Sequence, residues 1–425
     1  MDELGSIDPK WLSIVGIGES GLGELSQSAR GLVDRATIIV GGERHLAMLE
    51  PNDHRERIRW SSPLEKSIDL ILKHQGTPVC ILASGDPLCY GIGVTLLRWI
   101  SIDQMTIIPA PSTFSLACAK LGWSSTDVET LSLCGRSADF LAAILAPGAK
   151  LLILSAGAQT PQIVADLLSL RGYGASRITV LEHLGGVTEA AISGIAGNWS
   201  KIDVAALNVI AVECGIEPGT TPLNRLAGLP DSAYHHDGQL TKREVRSITL
   251  AALAPIPGEL LWDVGAGCGS IGIEWLRSHP RCRAISIEQH DRRLQFITDN
   301  MAALGTPHLQ LVQGKAPAAL QGLPTPDAIF IGGGITSPGL LDTCWTALRS
   351  GGRLVANAVT VESELQLLQW HQQLGGELTR IAIQRTQPIG SFLGWKPLIP
   401  VTQLVAIKTV GMPFMGSRAD SFSNL

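Results

Sequence analysis

The chain has 425 residues, more than a single hydrophobic core of about 250–300 residues accommodates, so two domains are expected. Apolar residues at 45 % against charged residues at 17 % exclude a disordered chain, and a net charge of −5 argues against nucleic acid as the partner. No apolar run approaches the roughly 18 residues of a membrane span, and the opening MDELGSIDPK is too acidic for a secretory signal, so no membrane partner is expected.

In chain order, short apolar strands are predicted at 12–15, 36–40, 78–83, 105–108, 150–154, 178–182 and 204–212, with apolar helical patterns at 94–100 and 162–170 between them. The segment 215–238 then gathers Pro218, Pro222 and Pro230 with Gly, Thr, Asp and two His, a linker composition. A second unit follows: strand 260–264, a glycine loop, helix 271–278, strand 284–288, helix 292–304, and strands 309–313, 328–331 and 353–356. Alternating strands and helices predict α/β layers on both sides, over 10–214 and 235–412, with 215–234 as linker. The first ten residues and the tail beyond 412 are expected to fray.

Eight cysteines without a C-x-x-C pair read as reduced thiols of a cytoplasmic protein. The histidines lack metal-ligand spacing, and the adjacent His235 and His236 read as a solvated pair, so no metal is expected.

In LLWDVGAGCGSIGIEW a strand runs into Gly265, Ala266, Gly267, Cys268 and Gly269 and then into a helix. Such glycines let the backbone turn and approach a ligand at the carboxyl ends of the strands. Glu288 ends the next strand, where its carboxylate can accept from both ribose hydroxyls of an adenosine. Asp263 is placed to reach the loop amides or a ligand ammonium. A nicotinamide site and an oxidoreductase remain the alternative, although a dinucleotide loop needs glycine where the chain has Ser270.

Beyond the loop, GQLTKREVR, GKAP, AIFIGGG, GGRLVANAVTVESE and RTQPIGSFLGWKPLIPV resemble the decarboxylating corrin methyltransferase family over nearly all of 238–408. The resemblance implies a Rossmann-like domain that holds S-adenosyl-L-methionine through Thr241, the glycine loop, Glu288 and Ala316. Lys242, Arg243 and Arg246 beside Thr241, and Arg385 and Lys396 by family pattern, are candidates to meet the substrate's carboxylates.

The N-terminal half carries IVGIGESGLGELSQSA, VGGERHL, ASGDPLCYGIG, PAPSTFSLACAKLGW, SLCGR and VLEHLGGVTEA, which resemble the tetrapyrrole methylase family, carbon-5 branch, over about 12–213. That implies a two-lobed α/β fold with a second S-adenosylmethionine site at Gly16, Gly18, Ser84, Gly85, Asp86, Pro87, Ser112 and Thr113. The first loop departs from the family's G-x-G-P-G pattern, with Glu19, Ser20 and Gly21 in its place.

Together the resemblances imply methylation of a precorrin of the 6B/6Y type at carbon 15, with loss of carbon dioxide, by the C-terminal half and at carbon 5 by the N-terminal half. Metal-free and cobalt-bearing macrocycles both remain open. No nucleophile triad is visible, and transfer from a sulfonium to an electron-rich carbon requires none. Association into a homo-oligomer is implied by the relatives of both halves.

Overall fold

A computed structural model describes residues 10–200 and 203–409. The segments expected to fray lie outside the described residues, apart from the exposed Lys10. The chain separates into two compact units: one of Pro147–Thr220 with the residues up to Ala138, the other of Asp139–Ala146 with the residues from Thr221 onward.

The first unit holds two sheets. Strands β1 (Leu12–Ile17), β2 (Ile38–Gly41), β3 (Glu56–Arg59), β4 (Val79–Ser84) and β5 (Met105–Ile108) form a parallel sheet in the order β3-β2-β4-β1-β5. β1 and β4 read as near-continuous apolar runs, with Ser13 and Ser84 as their polar members, because helices cover both faces of a parallel sheet. Leu12 and Ile14 pack into one core, and Val15 and Ile17 into another. The second lobe holds β6 (Val128–Ser132), β7 (Lys150–Leu154), β8 (Arg177–Glu182), β9 (Ala190–Ile195) and β10 (Asn208–Glu213) in the order β6-β7-β10-β8-β9, antiparallel except for β6 with β7.

The second unit carries β11 (Leu260–Val264), β12 (Arg283–Glu288), β13 (Gln310–Gln313), β14 (Ala328–Ile331), β15 (Arg353–Ala358), β16 (Glu377–Ile381), a hairpin of β17 (Gln384–Ile389) and β18 (Phe392–Pro397), and β19 (Val401–Ile407). Its sheet runs β13-β12-β11-β14-β15-β19-β16, parallel as far as β15 and antiparallel beyond. Strand order reverses between β11 and β14, and a ligand crevice opens at the carboxyl ends on either side of such a reversal.

The linker expected over 215–234 is not free throughout. Leu229 and Tyr234 are buried in the second unit's core. The carboxylate of Glu274 accepts from the Gly228 and Leu229 amides, at 2.6 and 3.1 Å, and from the Tyr234 hydroxyl at 2.8 Å. His235 is exposed, whereas His236 is half-buried and its Nδ1 accepts from the Gly238 amide at 2.9 Å, so the expected solvated pair holds for one member only.

Candidate functional sites

At the reversal in the second unit, three glycines shape the loop. Gly265, Gly267 and Gly269 take φ of +71°, +61° and +78°, a region that side-chain-bearing residues avoid. A Cβ on Gly265 would lie 2.8 Å from the Gly333 Cα, so the loops after β11 and β14 touch through bare backbone. The cavity above them is about 850 Å³, within the range of small-molecule sites. Thr241, Lys242, Gly265, Ala266, Gly267, Cys268, Glu288 and Ala316 all line it. Gly269 does not; it caps the helix Ser270–Ser278.

Glu288 is 4 % exposed, yet its carboxylate is anchored. Oε2 accepts from the Gly267 amide at 2.9 Å, and Oε1 from the amides of Gln289 at 2.9 Å and His290 at 3.0 Å. Oε2 keeps a lone pair for a hydroxyl in the cavity. A cradle that a Cβ would fill, closed by a strand-end carboxylate with acceptor capacity to spare, fits an adenosine group.

Five expected site residues need correction. Asp263 does not face the cavity. Alternation along β11 points it at the helix Ser270–Ser278, where it is fully buried and accepts from the Gly272 amide at 3.0 Å and the Ser286 hydroxyl at 3.2 Å. Arg246 is fully buried as well. Its Nε donates to Glu274 at 2.6 Å, its Nη2 to the Leu229 carbonyl, and its guanidinium lies 4.8 Å from the centre of the Tyr234 ring. It fastens 229–241 to the helix Arg243–Leu253 and offers nothing to a substrate. Arg385 is spent on Asp231 and Glu244, and Arg243 pairs with Glu244. Lys396 stands exposed on β18 and is not part of the cavity lining, although the next residue, Pro397, is. Of the five basic candidates only Lys242 lines the cavity, and no ion pair to it is found among the described residues. Sequence reading missed Arg293, Lys315 and Asn357, which also line it. Asn357, a lone amide within the apolar run of β15, carried the clearest signal of the three.

In the first unit a smaller cavity, about 290 Å³, is lined by Ser84, Asp86, Ser112 and Thr113 together with His45, Trp60 and Tyr90, which the motifs did not single out. Gly16, Gly18, Gly85 and Pro87 lie outside its lining. A Cβ on Gly16 would sit 2.0 Å from the Gly85 carbonyl oxygen, so this glycine serves loop packing. Ser112 caps the helix Thr113–Leu121 through the Ser115 amide at 3.1 Å, and Asp86 accepts from the Leu88 amide at 2.8 Å. Burial, and then the neighbouring Arg44, push the His45 imidazole down to about 4, so it faces the cavity neutral at pH 7.

The unusual first loop has a clear structural role. Glu19 pairs with Arg44 in its own lobe and lies 3.2 Å from His183 Nδ1 in the other. The Ser20 hydroxyl donates to the Gly185 carbonyl at 2.7 Å. Arg44 also donates to Ser84 Oγ at 2.9 Å, which carries the link to the cavity wall. The two lobes of this unit are thus joined beside the cleft by the residues that replace the family's proline.

Residues 12–197 match the family described as tetrapyrrole (corrin/porphyrin) methylases, and residues 232–408 match the precorrin methyltransferase domain. A Sinorhizobium protein named precorrin-6Y C(5,15)-methyltransferase (decarboxylating) is 48 % identical over 393 residues, 92 % of this chain and 95 % of that protein. A Mycobacterium tuberculosis protein of the same name is 44 % identical over 92 % of this chain and 98 % of its own length. The crystal structure of the C-terminal domain of precorrin-6Y C5,15-methyltransferase from Rhodobacter capsulatus is 47 % identical, covering 44 % of this chain and 100 % of that one, with a TM-score of 0.42. With near full-length identity of this order and a matching domain in each half, the chain belongs to the precorrin-6Y C(5,15)-methyltransferase (decarboxylating) family.

Proposed function

We propose that the two halves divide one overall reaction of cobalamin biosynthesis. The C-terminal half methylates carbon 15 of a precorrin and releases the ring-C acetate carboxyl as carbon dioxide; the N-terminal half methylates carbon 5. The observation that carries this reading is the larger cavity, whose lining combines the glycine cradle and Glu288 with the apolar Val359, Ile383, Leu398, Ile399 and Val401. When bound, S-adenosylmethionine supplies an electrophilic methyl group on its sulfonium. The protein's task is then alignment and exclusion of water. Gly265 and Gly267 admit the cofactor close to the backbone, Glu288 accepts from its ribose, and Thr241, Ala266, Cys268 and Ala316 complete the pocket. Lys242 meets a carboxylate of the macrocycle at the cavity edge. In the smaller site Ser84, Asp86, Ser112 and Thr113 face the second cofactor, while Gly16, Gly18, Gly85 and Pro87 set the loops.

Metal-free precorrin is the favoured substrate, because both full-length relatives are named for it. No helix among the described residues is long and apolar enough to cross a membrane. A cytoplasmic setting belongs to the proposal and rests on cysteine usage, eight residues with no C-x-x-C pair. So does a homo-oligomer, supported by the exposed apolar hairpin β17–β18.

The full chain, given precorrin and S-adenosylmethionine, should yield a product with two methyls gained and one carbon dioxide lost by mass spectrometry. Ala266→Phe fills the larger cavity and should abolish carbon dioxide release. Thr113→Phe fills the smaller one and should leave a product with a single added methyl and the carboxyl gone. The opposite pattern would mean that the halves are assigned the wrong way round.

A further inference from the structure

Where the sheet of the second unit turns from parallel to antiparallel, two amide side chains meet. Asn357 of β15 and Gln403 of β19 are register partners, and Thr249 of the helix Arg243–Leu253 sits against both. Counting hydrogens fixes the directions of these bonds. Thr249 Oγ1 donates its only hydrogen to the Val245 carbonyl at 2.8 Å. It therefore accepts from Asn357 Nδ2 at 2.9 Å and from Gln403 Nε2 at 3.1 Å. The second Gln403 hydrogen goes to Asn357 Oδ1 at 2.9 Å. Thr249 and Gln403 are both buried, so turning the Asn357 amide over would leave buried groups unpaired. One N–H and one lone pair of Asn357 remain unspent, on a side chain that lines the larger cavity.

The lining that follows β15 and flanks β19 is apolar: Val359, Ile383, Leu398, Ile399 and Val401. The cationic lining residues come from other elements: Lys242 just before the helix Arg243–Leu253, Arg293 on the helix Asp291–Leu304, where it pairs with Asp237, and Lys315 in the loop after β13. This division matters for loss of carbon dioxide. The bond between the acetate methylene and its carboxyl carbon breaks, and its electron pair passes into the macrocycle's conjugated imine. A proton from water completes the new methyl group. A cation beside the carboxylate would stabilise the reactant's charge, which the product has lost, and so raise the barrier. A neutral N–H in an apolar wall orients the carboxylate with far less of that stabilisation. The geometry points to Asn357 as the contact for the scissile carboxylate, with Thr249 and Gln403 as the positioning residues that aim it. This rests on the proposed assignment of decarboxylation to the C-terminal half.

The test uses the full chain with precorrin and S-adenosylmethionine, following carbon dioxide release and product mass together. Asn357→Ala should lower kcat for carbon dioxide release by about tenfold or more, the loss of one hydrogen bond to a charged group. Cofactor affinity by calorimetry should stay unchanged. Product that has gained the methyl but kept the carboxyl should accumulate. Asn357→Asp, which sets a second carboxylate beside the first, should lose more. Thr249→Val, outside the cavity, should reproduce the uncoupling in weaker form, and it serves if the Asn357 variants fail to fold. Wild-type carbon dioxide release in the folded variants, or an equal fall in methylation and decarboxylation, would overturn the assignment. A wild-type chain that methylates without ever releasing carbon dioxide would instead overturn the proposed function.

Discussion

Asp263 sits two residues before the glycine loop and still belongs to the core. Burial pushes its carboxyl up to about 7 from an ordinary 3.8, against the smaller opposing pull of the Gly272 and Ser286 hydrogen bonds. Below about pH 4 the group is protonated in both folded and unfolded chains and has no effect on the balance between them. Between that point and pH 7 the folded chain keeps the proton and the unfolded chain releases it. Above pH 7 both are ionised, and the full cost of a buried charge falls on the fold. Its contribution therefore turns against the folded state as pH rises through this window. Asp263→Asn carries no charge at any pH. Its melting temperature should exceed the wild type's at pH 8, and the difference should shrink at pH 5. Calorimetry at the two values checks this, and a difference independent of pH would show that the buried carboxyl does not titrate there.

At the scale of elements, the hairpin β17–β18 stands out. A two-residue turn at Gly390 and Ser391 joins its strands, with Gly390 at φ +60°. Both faces carry exposed apolar groups: Phe392 is 78 % exposed and Trp395 70 %. A two-stranded ribbon is marginal by itself, and bare strand edges invite pairing with another chain. A second copy of the chain is the occupant that the proposed homo-oligomer requires. Phe392→Asp with Trp395→Asp should lower the mass measured by light scattering, while the far-ultraviolet circular dichroism keeps its shape. A wild-type chain that is already monomeric would remove this role from the hairpin.

Across each whole unit, legibility followed the physics of pattern. Parallel strands buried on both faces stood out as apolar runs, so β1, β4, β11 and β14 were readable. Strands exposed on one or both faces carry polar residues that blur the period: β3, β6, β9 and the hairpin were not foreseen, and the strand expected from 204 begins only at Asn208. Loop glycines and Glu288 were legible because backbone geometry and strand-end position restrict the residue type. The cations were not, because Arg246 looks the same in sequence whether it meets a ligand or a buried Glu274. That distinction depends on which carboxylate the fold brings near, a contact between positions 28 apart. The partners of Asn357 were hidden for the same reason, since they come from a helix and from the neighbouring strand β19, 108 and 46 positions away in the chain.

The first loop of the N-terminal unit also has a consequence for how this chain can vary. A Cβ added at Gly186 would come within 2.9 Å of the Glu19 Cβ and 3.0 Å of the His183 carbonyl oxygen, so the residue it faces accounts for part of the requirement for glycine. The two positions should therefore be epistatic. In a saturation library at 186, selected for carbon-5 methylation, glycine alone should survive in the wild-type background. With Glu19→Gly beside it, alanine should be recovered more often at 186, limited then by the His183 carbonyl alone, even though the charge that joins the lobes is gone. If alanine survives equally in both backgrounds, the two loops do not constrain each other, and the replacement of the family's proline was free to occur without any change at its neighbour.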